Sequence, residues 1–188
     1  GLIVDYEGEV INLTNLPSSV NTIVITGVAA DAFKGCTTLE EVSCTSSMTS
    51  IGASAFENCI NLKKVTLPEG LQSIEAKSFS GCTNLTSVGI PSTLKVIGDE
   101  AFYNTSSLTS IDLYAEITEI GARAFYGSHL RNVELPSSLT KLGESAFESC
   151  TNLYSVSVPG ALTEIGDNVF RYCSSLEEIE LETGLTGL

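Results

Sequence analysis

Aromatic and aliphatic residues recur along the chain at a nearly constant interval of 23 residues. The phenylalanines define this interval best, because all seven are spaced by 23 residues except for one step of 22. They are Phe33, Phe56, Phe79, Phe102, Phe125, Phe147 and Phe170. Repetition of this period is typical of solenoid proteins, in which each repeat adds one turn to a stack.

Alignment on the phenylalanines gives the unit L-x-x-V-x-L-P-x-x-L-x-x-I-G-x-x-A-F-x-x-C, with the proline present in four copies. In L-x-x-V-x-L the last two apolar residues are two apart, so they share one face of a strand. We therefore expect one short strand per repeat, and proline ends it because proline has no N–H to donate. The I-G step indicates a turn, although Ala29 and Glu75 in the glycine column show that a positive φ is not required there. The segment ending in A-F favours one short helical turn that brings the ring inward.

A single unit cannot bury its apolar columns, so the copies must stack with parallel strands about 4.8 Å apart. The segments LPEGLQSIEAKSFSGCTNLTSV and LPSSLTKLGESAFESCTNLYSV resemble the BspA-like, or Treponema pallidum-type, leucine-rich repeat. This resemblance implies a right-handed α/β solenoid of about seven 23-residue units, with parallel strands and, on the other side, short helical turns or loops. It also implies a secreted or cell-surface protein of a bacterium or protist that takes part in adhesion.

The two ends of the chain depart from the repeat. Residues 1–27 predict an N-terminal cap with a hairpin turned at Glu7-Gly8 and a partial unit near LPSSV, whereas residues 28–188 form the repeats. Leu188 lies 23 residues after Ile165, so the last repeat is expected to be incomplete. No basic segment followed by an apolar stretch opens the chain, so a secretory signal is either absent or already removed.

Charge and hydropathy exclude two classes of partner. The chain has 23 acidic and 9 basic residues and a net charge of -14, which repels nucleic acid and anionic lipid surfaces. No run approaches the roughly 18 apolar residues of a membrane span, so direct membrane insertion is not expected.

Chemically reactive side chains are explained by the repeat itself. Five cysteines, at positions 36, 59, 82, 150 and 173, share a column with Thr105 and Ser128, which indicates that the column requires a small residue. Cys44 occupies an apolar column, so we expect packing cysteines and no metal, cofactor or disulfide. His129 is the only histidine and lies in an expected surface bend, and no catalytic motif occurs. The sequence therefore predicts a protein that is not an enzyme.

The outward positions of the predicted strands form a candidate binding face. They flank the inward valine of each repeat and are mostly small and polar: Glu41, Ser43, Lys64, Thr66, Ser87, Gly89, Ser110, Asp112, Asn132, Glu134, Ser155, Ser157, Glu178 and Glu180. Such a face lacks the aromatic and arginine anchors of tight interfaces, so weak or multivalent contacts are expected.

Repeats four and five, centred on Phe102 and Phe125, break the pattern. Thr105 and Ser128 replace cysteine, Tyr114 replaces proline, and one residue is missing near His129. Irregular copies in a regular design either mark a functional site or reflect neutral drift. The candidate partner-contact residues are Tyr114, Arg131, Tyr154, Tyr103 and Tyr126, and the last two are expected to lie side by side.

Two functions follow from this reading. The first is a non-enzymatic adhesion or recognition module that binds a protein or glycan partner, including host or extracellular-matrix molecules. The second is a structural spacer that holds another domain away from a cell surface.

Overall fold

The computed structural model describes residues 2–3, 19–20, 23–24, 26–114 and 116–184 of the 188-residue chain, with side chains from residue 26 onward. The hairpin expected at Glu7-Gly8 lies outside the described residues. Near the N-terminus, β2 (Ser19–Val20) and β3 (Ile23–Val24) pair antiparallel.

The repeats contribute to two series of parallel strands, whereas the sequence predicted one strand per repeat. The first series follows the L-x-x-V-x-L motif and comprises β5 (Glu41–Ser43), β7 (Lys64–Thr66), β9 (Ser87–Gly89), β12 (Asn132–Glu134), β14 (Ser155–Val158) and β16 (Glu178–Leu181). The second series lies at the I-G step and comprises β1 (Leu2–Ile3), β4 (Gly27–Val28), β6 (Ser50–Ile51), β8 (Ser73–Ile74), β10 (Val96–Ile97), β11 (Glu119–Ile120), β13 (Lys141–Leu142) and β15 (Glu164–Ile165).

Pairing within both series keeps equivalent positions of successive repeats in register. Val42 lies opposite Val65, which lies opposite Val88, and Val133 is paired in the same way with Val156. The second series forms a three-stranded sheet in the order β1-β4-β6 and a five-stranded sheet in the order β8-β10-β11-β13-β15. Register of this kind stacks every apolar column into a continuous ladder inside the solenoid.

The phenylalanine column forms the centre of this core. Successive rings are stacked face to face with centroid separations between 5.1 and 5.9 Å. The five rings from Phe56 to Phe147 are completely buried. Aromatic pairs at such separations contribute about 0.5–1.5 kcal/mol each beyond the area they bury. The spacing that defined the repeat in the sequence is therefore also its main packing contact.

The segment around each phenylalanine is not helical, so the predicted helical turn is not found among the described residues, and turns and loops occupy this side. Two residues of each copy, two before and two after the ring, have a positive φ. These residues are Asp31, Gly35, Ser54, Asn58, Lys77, Gly81, Glu100, Asn104, Arg123, Gly127, Ser145, Ser149, Asn168 and Tyr172. Between and including these two residues, every second N–H points out of its own turn toward the next repeat.

Those N–H groups join the repeats through a second backbone ladder. In the first copy Asp31, Phe33 and Gly35 donate to the carbonyls of Ala53, Ala55 and Glu57 at 2.7–3.0 Å. The intervening amides donate to carbonyls three residues earlier in their own turn. The same arrangement recurs at each junction up to repeat seven, so hydrogen bonding is satisfied here without a helix or a β-strand.

The glycine of the I-G step packs closely against the preceding repeat where it occurs, and its φ lies outside the left-handed region. A Cβ added to Gly52 would lie 2.4 Å from the backbone N of Ala30, and one added to Gly143 would lie 2.4 Å from that of Ala122. The backbone of the preceding repeat therefore occupies the space that a side chain would need.

Cysteine-column residues act as hydrogen-bond donors as well as small packing groups. The thiol of Cys59 donates to the Phe33 carbonyl at 3.0 Å, and that of Cys82 donates to the Phe56 carbonyl at 3.1 Å. Thr105 donates instead to the carbonyl of Phe102 at 2.8 Å. All six cysteines are free thiols, and burial raises the pKa of Cys59 to about 12. The sequence predicted that this column requires a small residue, but it did not predict that the side chains there donate hydrogen bonds.

Candidate functional site

The first strand series forms a surface that we call the strand face, made of the outward residues of β5, β7, β9, β12, β14 and β16 together with Ser110 and Asp112. The outward positions predicted from the sequence are all exposed or half-exposed, and the valines of β5, β7, β12 and β14 between them are buried. The strand face is thus a solvent-facing layer over the apolar core.

The strand face is interrupted in repeat four. Its first three strands form one sheet in the order β5-β7-β9 and its last three form another in the order β12-β14-β16. Between them Ser110–Leu113 is not a strand, although its apolar columns match those of the other repeats. Among the described residues, no protein group pairs with the backbone N–H or C=O groups of these four residues. We call Ser110–Leu113 the repeat-four gap.

The gap also loosens the local core. Val88 and Ile111 are half-exposed, whereas their equivalents Val65 and Val133 are 1% and 2% exposed. On the C-terminal side of the gap one bond remains, from the Arg131 N–H to the Thr109 carbonyl at 3.2 Å. The interruption lies next to the repeat that has lost a residue, so the two irregularities coincide in space.

Tyr114 ends the repeat-four gap and occupies the proline column. Its carbonyl accepts a hydrogen bond from the N–H of Ile117 at 3.2 Å, as the carbonyl of Pro91 does from Leu94 at 3.1 Å. The four prolines are buried, but the Tyr114 side chain is 44% exposed. Substitution in this column therefore keeps the turn and adds an accessible ring.

Two clefts on the strand face share Asn132 and Glu134. The first has a volume of about 420 Å³ and is lined by the repeat-four gap, Tyr114 and the shared pair. The second, of about 460 Å³, contains Tyr154, Glu178 and Glu180 in addition to residues of β12 and β14. Tyr114 also borders a third cleft, of about 590 Å³, together with Lys95 and Glu116. Of the five candidate contact residues, Tyr114 and Tyr154 thus flank one continuous region.

The electrostatic character of this region is negative. Asp112, Glu134, Glu178 and Glu180 form no ion pair with any described residue. The negative charges of Glu178 and Glu177 raise the pKa of Tyr154. An exposed phenol thus lies within the field of neighbouring carboxylates.

Tyr103 and Tyr126 form a separate cluster in the turns that follow Phe102 and Phe125. Their rings are stacked with centroids 5.0 Å apart, which confirms that they lie side by side. The Arg123 guanidinium lies 5.4 Å from the centroid of Tyr126, and Glu100 is 3.7 Å from Arg123. None of the strand-face clefts contains either ring. Because this pair already has a ring partner and a cation, its geometry is explained by packing.

Arg131 and His129 lie near the clefts without lining them. Arg131 is exposed and immediately precedes β12, and its carbonyl accepts the Tyr154 N–H at 2.7 Å. His129 is half-buried in the shortened turn. Arg131 is therefore a neighbour of Tyr154 in the stack, but only the two tyrosines of the candidate set reach the clefts.

The sequence missed the carboxylates as part of the candidate set. Asp112, Glu134 and Glu178 were identified only as outward positions of a polar face. Their clustering depends on the position of the two clefts relative to the gap, which no local motif encodes. A count of charge along the outward column, from repeat four onward, is the signal that would have found them.

The described residues contain neither a metal-binding cluster nor a membrane-spanning helix. No group of three or more histidine, cysteine, aspartate or glutamate side chains there could hold a metal ion. None of the described segments forms a helix long and apolar enough to cross a membrane.

Comparison with known proteins identifies the repeat. The family model described as "BspA type Leucine rich repeat region" matches residues 8–128 and 74–188, with six copies of the repeat. A search of curated proteins found no match.

Solved structures resemble this chain in fold, and two of them also resemble it in sequence. The crystal structure of a Treponema pallidum leucine-rich repeat protein is 34% identical over 94% of this chain and 82% of its own, with a TM-score of 0.86. A leucine-rich repeat protein of Bacteroides ovatus is 33% identical over 92% of this chain, with a TM-score of 0.85, and this chain covers 46% of its length. A leucine rich cell surface protein of Faecalibacterium prausnitzii, 21% identical over 95% of this chain and 71% of its own, shares the fold with a TM-score of 0.62. On the family match and these two closer relatives, the chain belongs to the BspA-type leucine-rich repeat family.

Proposed function

We propose that this solenoid is a non-enzymatic recognition module of a secreted or cell-surface protein, and that it binds a protein partner through the strand face of repeats four to seven. Leucine-rich repeat proteins typically serve as protein-interaction modules, because a stack of repeats presents an extended regular surface. The observation that supports this part of the surface is the exposure of Tyr114 and Tyr154 on a face that is otherwise small and polar.

Exposed tyrosines favour a binding role for physical reasons. A tyrosine buries a large area at low entropic cost and keeps a polar group at its edge, so tyrosine is enriched at interfaces and at their energetic centres. Neither ring is needed to fill the core, since Tyr114 is 44% and Tyr154 is 42% exposed. Both also border clefts, where a partner side chain would lose contact with water on several sides.

A capture experiment tests this proposal. The immobilised protein is incubated with purified extracellular-matrix proteins and with cell-surface extract, and retained proteins are measured for the wild type and for the double variant Tyr114→Ala/Tyr154→Ala. We expect the double variant to lose at least about tenfold in affinity, because interface tyrosines commonly cost more than 1 kcal/mol each on truncation.

Ile60→Ala is the matched control. Ile60 is 42% exposed, as Tyr154 is, but it lies in the turn after Phe56 and lines none of the strand-face clefts. Its replacement should leave binding and the melting curve unchanged. Equal binding by the wild type and the tyrosine variant would contradict the proposal, and retention of no protein by any form would favour the spacer function.

A further inference from the structure

Charge is distributed unequally along the strand face. In repeats one to three the outward positions carry one acid, Glu41, and one base, Lys64, which lie opposite each other in the sheet. In repeats four to seven they carry Asp112, Glu134, Glu178 and Glu180 and no base. The two clefts are therefore lined by carboxylates and tyrosines without a basic side chain.

We propose that the strand face of repeats four to seven binds an extended, lysine- or arginine-rich segment of a protein partner. This inference rests on the proposed function and specifies the chemistry of the partner. It follows from three independent properties of the same region, namely its charge, its exposed rings and its unpaired backbone groups.

The first property is electrostatic. A carboxylate that lacks a partner in its own chain can form a new ion pair without breaking an existing one. Asp112, Glu134 and Glu180 are in this state among the described residues, whereas Glu40 is already paired with Lys63 at 2.9 Å. Glu178 has no cationic partner there either, but it interacts with the Tyr154 hydroxyl. Complementary charge of this kind raises the association rate and selects the sign of the partner more than it raises affinity.

The second property is aromatic. Lysine and arginine side chains are attracted to the faces of exposed tyrosine rings, by about 0.5–1 kcal/mol at solvent-exposed sites. Tyr154 borders the cleft that contains Glu178 and Glu180, and Tyr114 borders the cleft that contains Asp112 and Glu134. Each cleft thus offers a ring and at least two carboxylates to one cationic group, with Glu134 shared between the two clefts.

The third property is the repeat-four gap. Its four residues line the first cleft, and their backbone N–H and C=O groups pair with no described residue. Unpaired main-chain groups are the features by which extended peptides are recognised. In an extended peptide alternate side chains point the same way at intervals of about 6.8 Å. Successive basic residues of an alternating sequence can therefore enter the two adjoining clefts.

The test uses a synthetic octapeptide that alternates lysine with threonine, titrated into the protein by calorimetry at pH 7. We expect measurable binding that weakens on addition of NaCl, because screening acts on exposed charges. The triple variant Asp112→Asn/Glu134→Gln/Glu178→Gln should bind about tenfold more weakly, since exposed ion pairs contribute about 0.2–1 kcal/mol each. N-methylation of alternate peptide amides should also weaken binding, because it removes main-chain donors.

A second triple variant controls for net charge. Glu41→Gln/Glu144→Gln/Asp167→Asn also removes three negative charges, at exposed positions that lie outside the two clefts. It should bind the lysine peptide as the wild type does. Equal losses in the two triple variants would overturn the inference, because the attraction would then depend on total charge alone. Circular dichroism melting of both variants verifies that they fold.

Three further outcomes would overturn this inference, and the first of them separates it from the proposed function. If the wild-type protein does not bind the lysine peptide but still captures a protein through Tyr114 and Tyr154, the inference is overturned and the proposed function still stands. Binding of a neutral oligosaccharide such as maltoheptaose through the same tyrosines, without binding of the peptide, overturns it in favour of a glycan. If the peptide binds and the tyrosine variants bind it equally well, the clefts are not its site and the inference fails.

Discussion

Repeats one to three and repeats four to seven have the same hydrophobic columns but different strand faces. The first group has a continuous three-stranded sheet and balanced outward charge. The second begins with Ser110–Leu113, whose backbone pairs with no described residue, and has four outward carboxylates that form no ion pair with a described residue. Leu108 of repeat four is as completely buried as Leu62 and Leu85. The backbone hydrogen bonds that join the turns around successive phenylalanines are here called the turn ladder. The difference teaches that the stack of phenylalanine rings and the turn ladder hold a repeat in place even when its strand does not form.

Hydrogen exchange should show the largest contrast between the two groups. The amides of Ser110–Leu113 have no acceptor in the described part of the chain, whereas those of β7 lie in the middle of a sheet. We expect exchange in the gap to be at least about a hundredfold faster, since unprotected segments open at almost no free-energy cost and core strands approach the global value. Equal protection, measured by mass spectrometry on overlapping peptides, would show that the repeat-four strand forms in solution.

Truncation of the phenylalanine rings tests whether the repeat-four gap weakens the packing at the centre of the core. Phe79 and Phe102 are both completely buried and stacked on two sides. We expect Phe79→Ala and Phe102→Ala each to lower the free energy of unfolding by about 3–5 kcal/mol in urea titrations. A much smaller loss for Phe102→Ala would mean that the packing of repeat four is already relaxed.

Alanine at the close-packed glycines tests whether the backbone contacts are the same in both groups. Gly52→Ala and Gly143→Ala place a Cβ 2.4 Å from the preceding repeat, so each should cost about 1–3 kcal/mol. Gly89→Ala on the strand face is the control, because its Cβ would meet nothing nearer than 4.0 Å. Thermal melting measures all three, and unequal losses at the two crowded positions would indicate different repeat spacing.

Replacement of Tyr114 by proline makes repeat four resemble its neighbours. The Tyr114 carbonyl already forms the turn bond that four proline carbonyls form elsewhere, and its own N–H has no protein acceptor among the described residues. We expect Tyr114→Pro to raise the free energy of unfolding by about 0.4–1 kcal/mol, because proline restricts the unfolded chain. Destabilisation in urea titrations would show that this turn differs from the others, and Tyr114→Ala distinguishes loss of the ring from gain of the proline.

Much of this architecture could be predicted from the sequence because the inward residues repeat without ambiguity. The phenylalanine stack and the pairing of Tyr103 with Tyr126 follow directly from a constant period. The second strand series could not be recognised, since two residues such as Ser73–Ile74 are too few to show alternation. The left-handed positions around each ring were not predicted. Glycine and asparagine two residues after the ring, such as Gly35 and Asn58, favour this conformation, but Lys77, Glu100 and Arg123 two residues before it carry no such signal.

The candidate site was less predictable than the fold. Tyr114 was found because it replaces proline in its column, and Tyr154 because it projects from a strand near the irregular repeats. The repeat-four gap was not found, because Leu108, Ile111 and Leu113 satisfy the strand pattern completely. Whether such a segment pairs with the neighbouring strands depends on the path of the turn near His129, which the apolar pattern of repeat four does not encode.

The turn ladder also gives the solenoid an axial polarity. In a β-sheet successive N–H groups point to opposite neighbours, but here the amides of Asp31, Phe33 and Gly35 and their equivalents all point toward the following repeat. The peptide dipoles of these bonds therefore add along the stack, as they do in an α-helix, with the positive end toward repeat seven. Every added repeat lengthens this dipole, and the acidic residues that accumulate toward that end, including Glu178 and Glu180, lie where its potential favours negative charge.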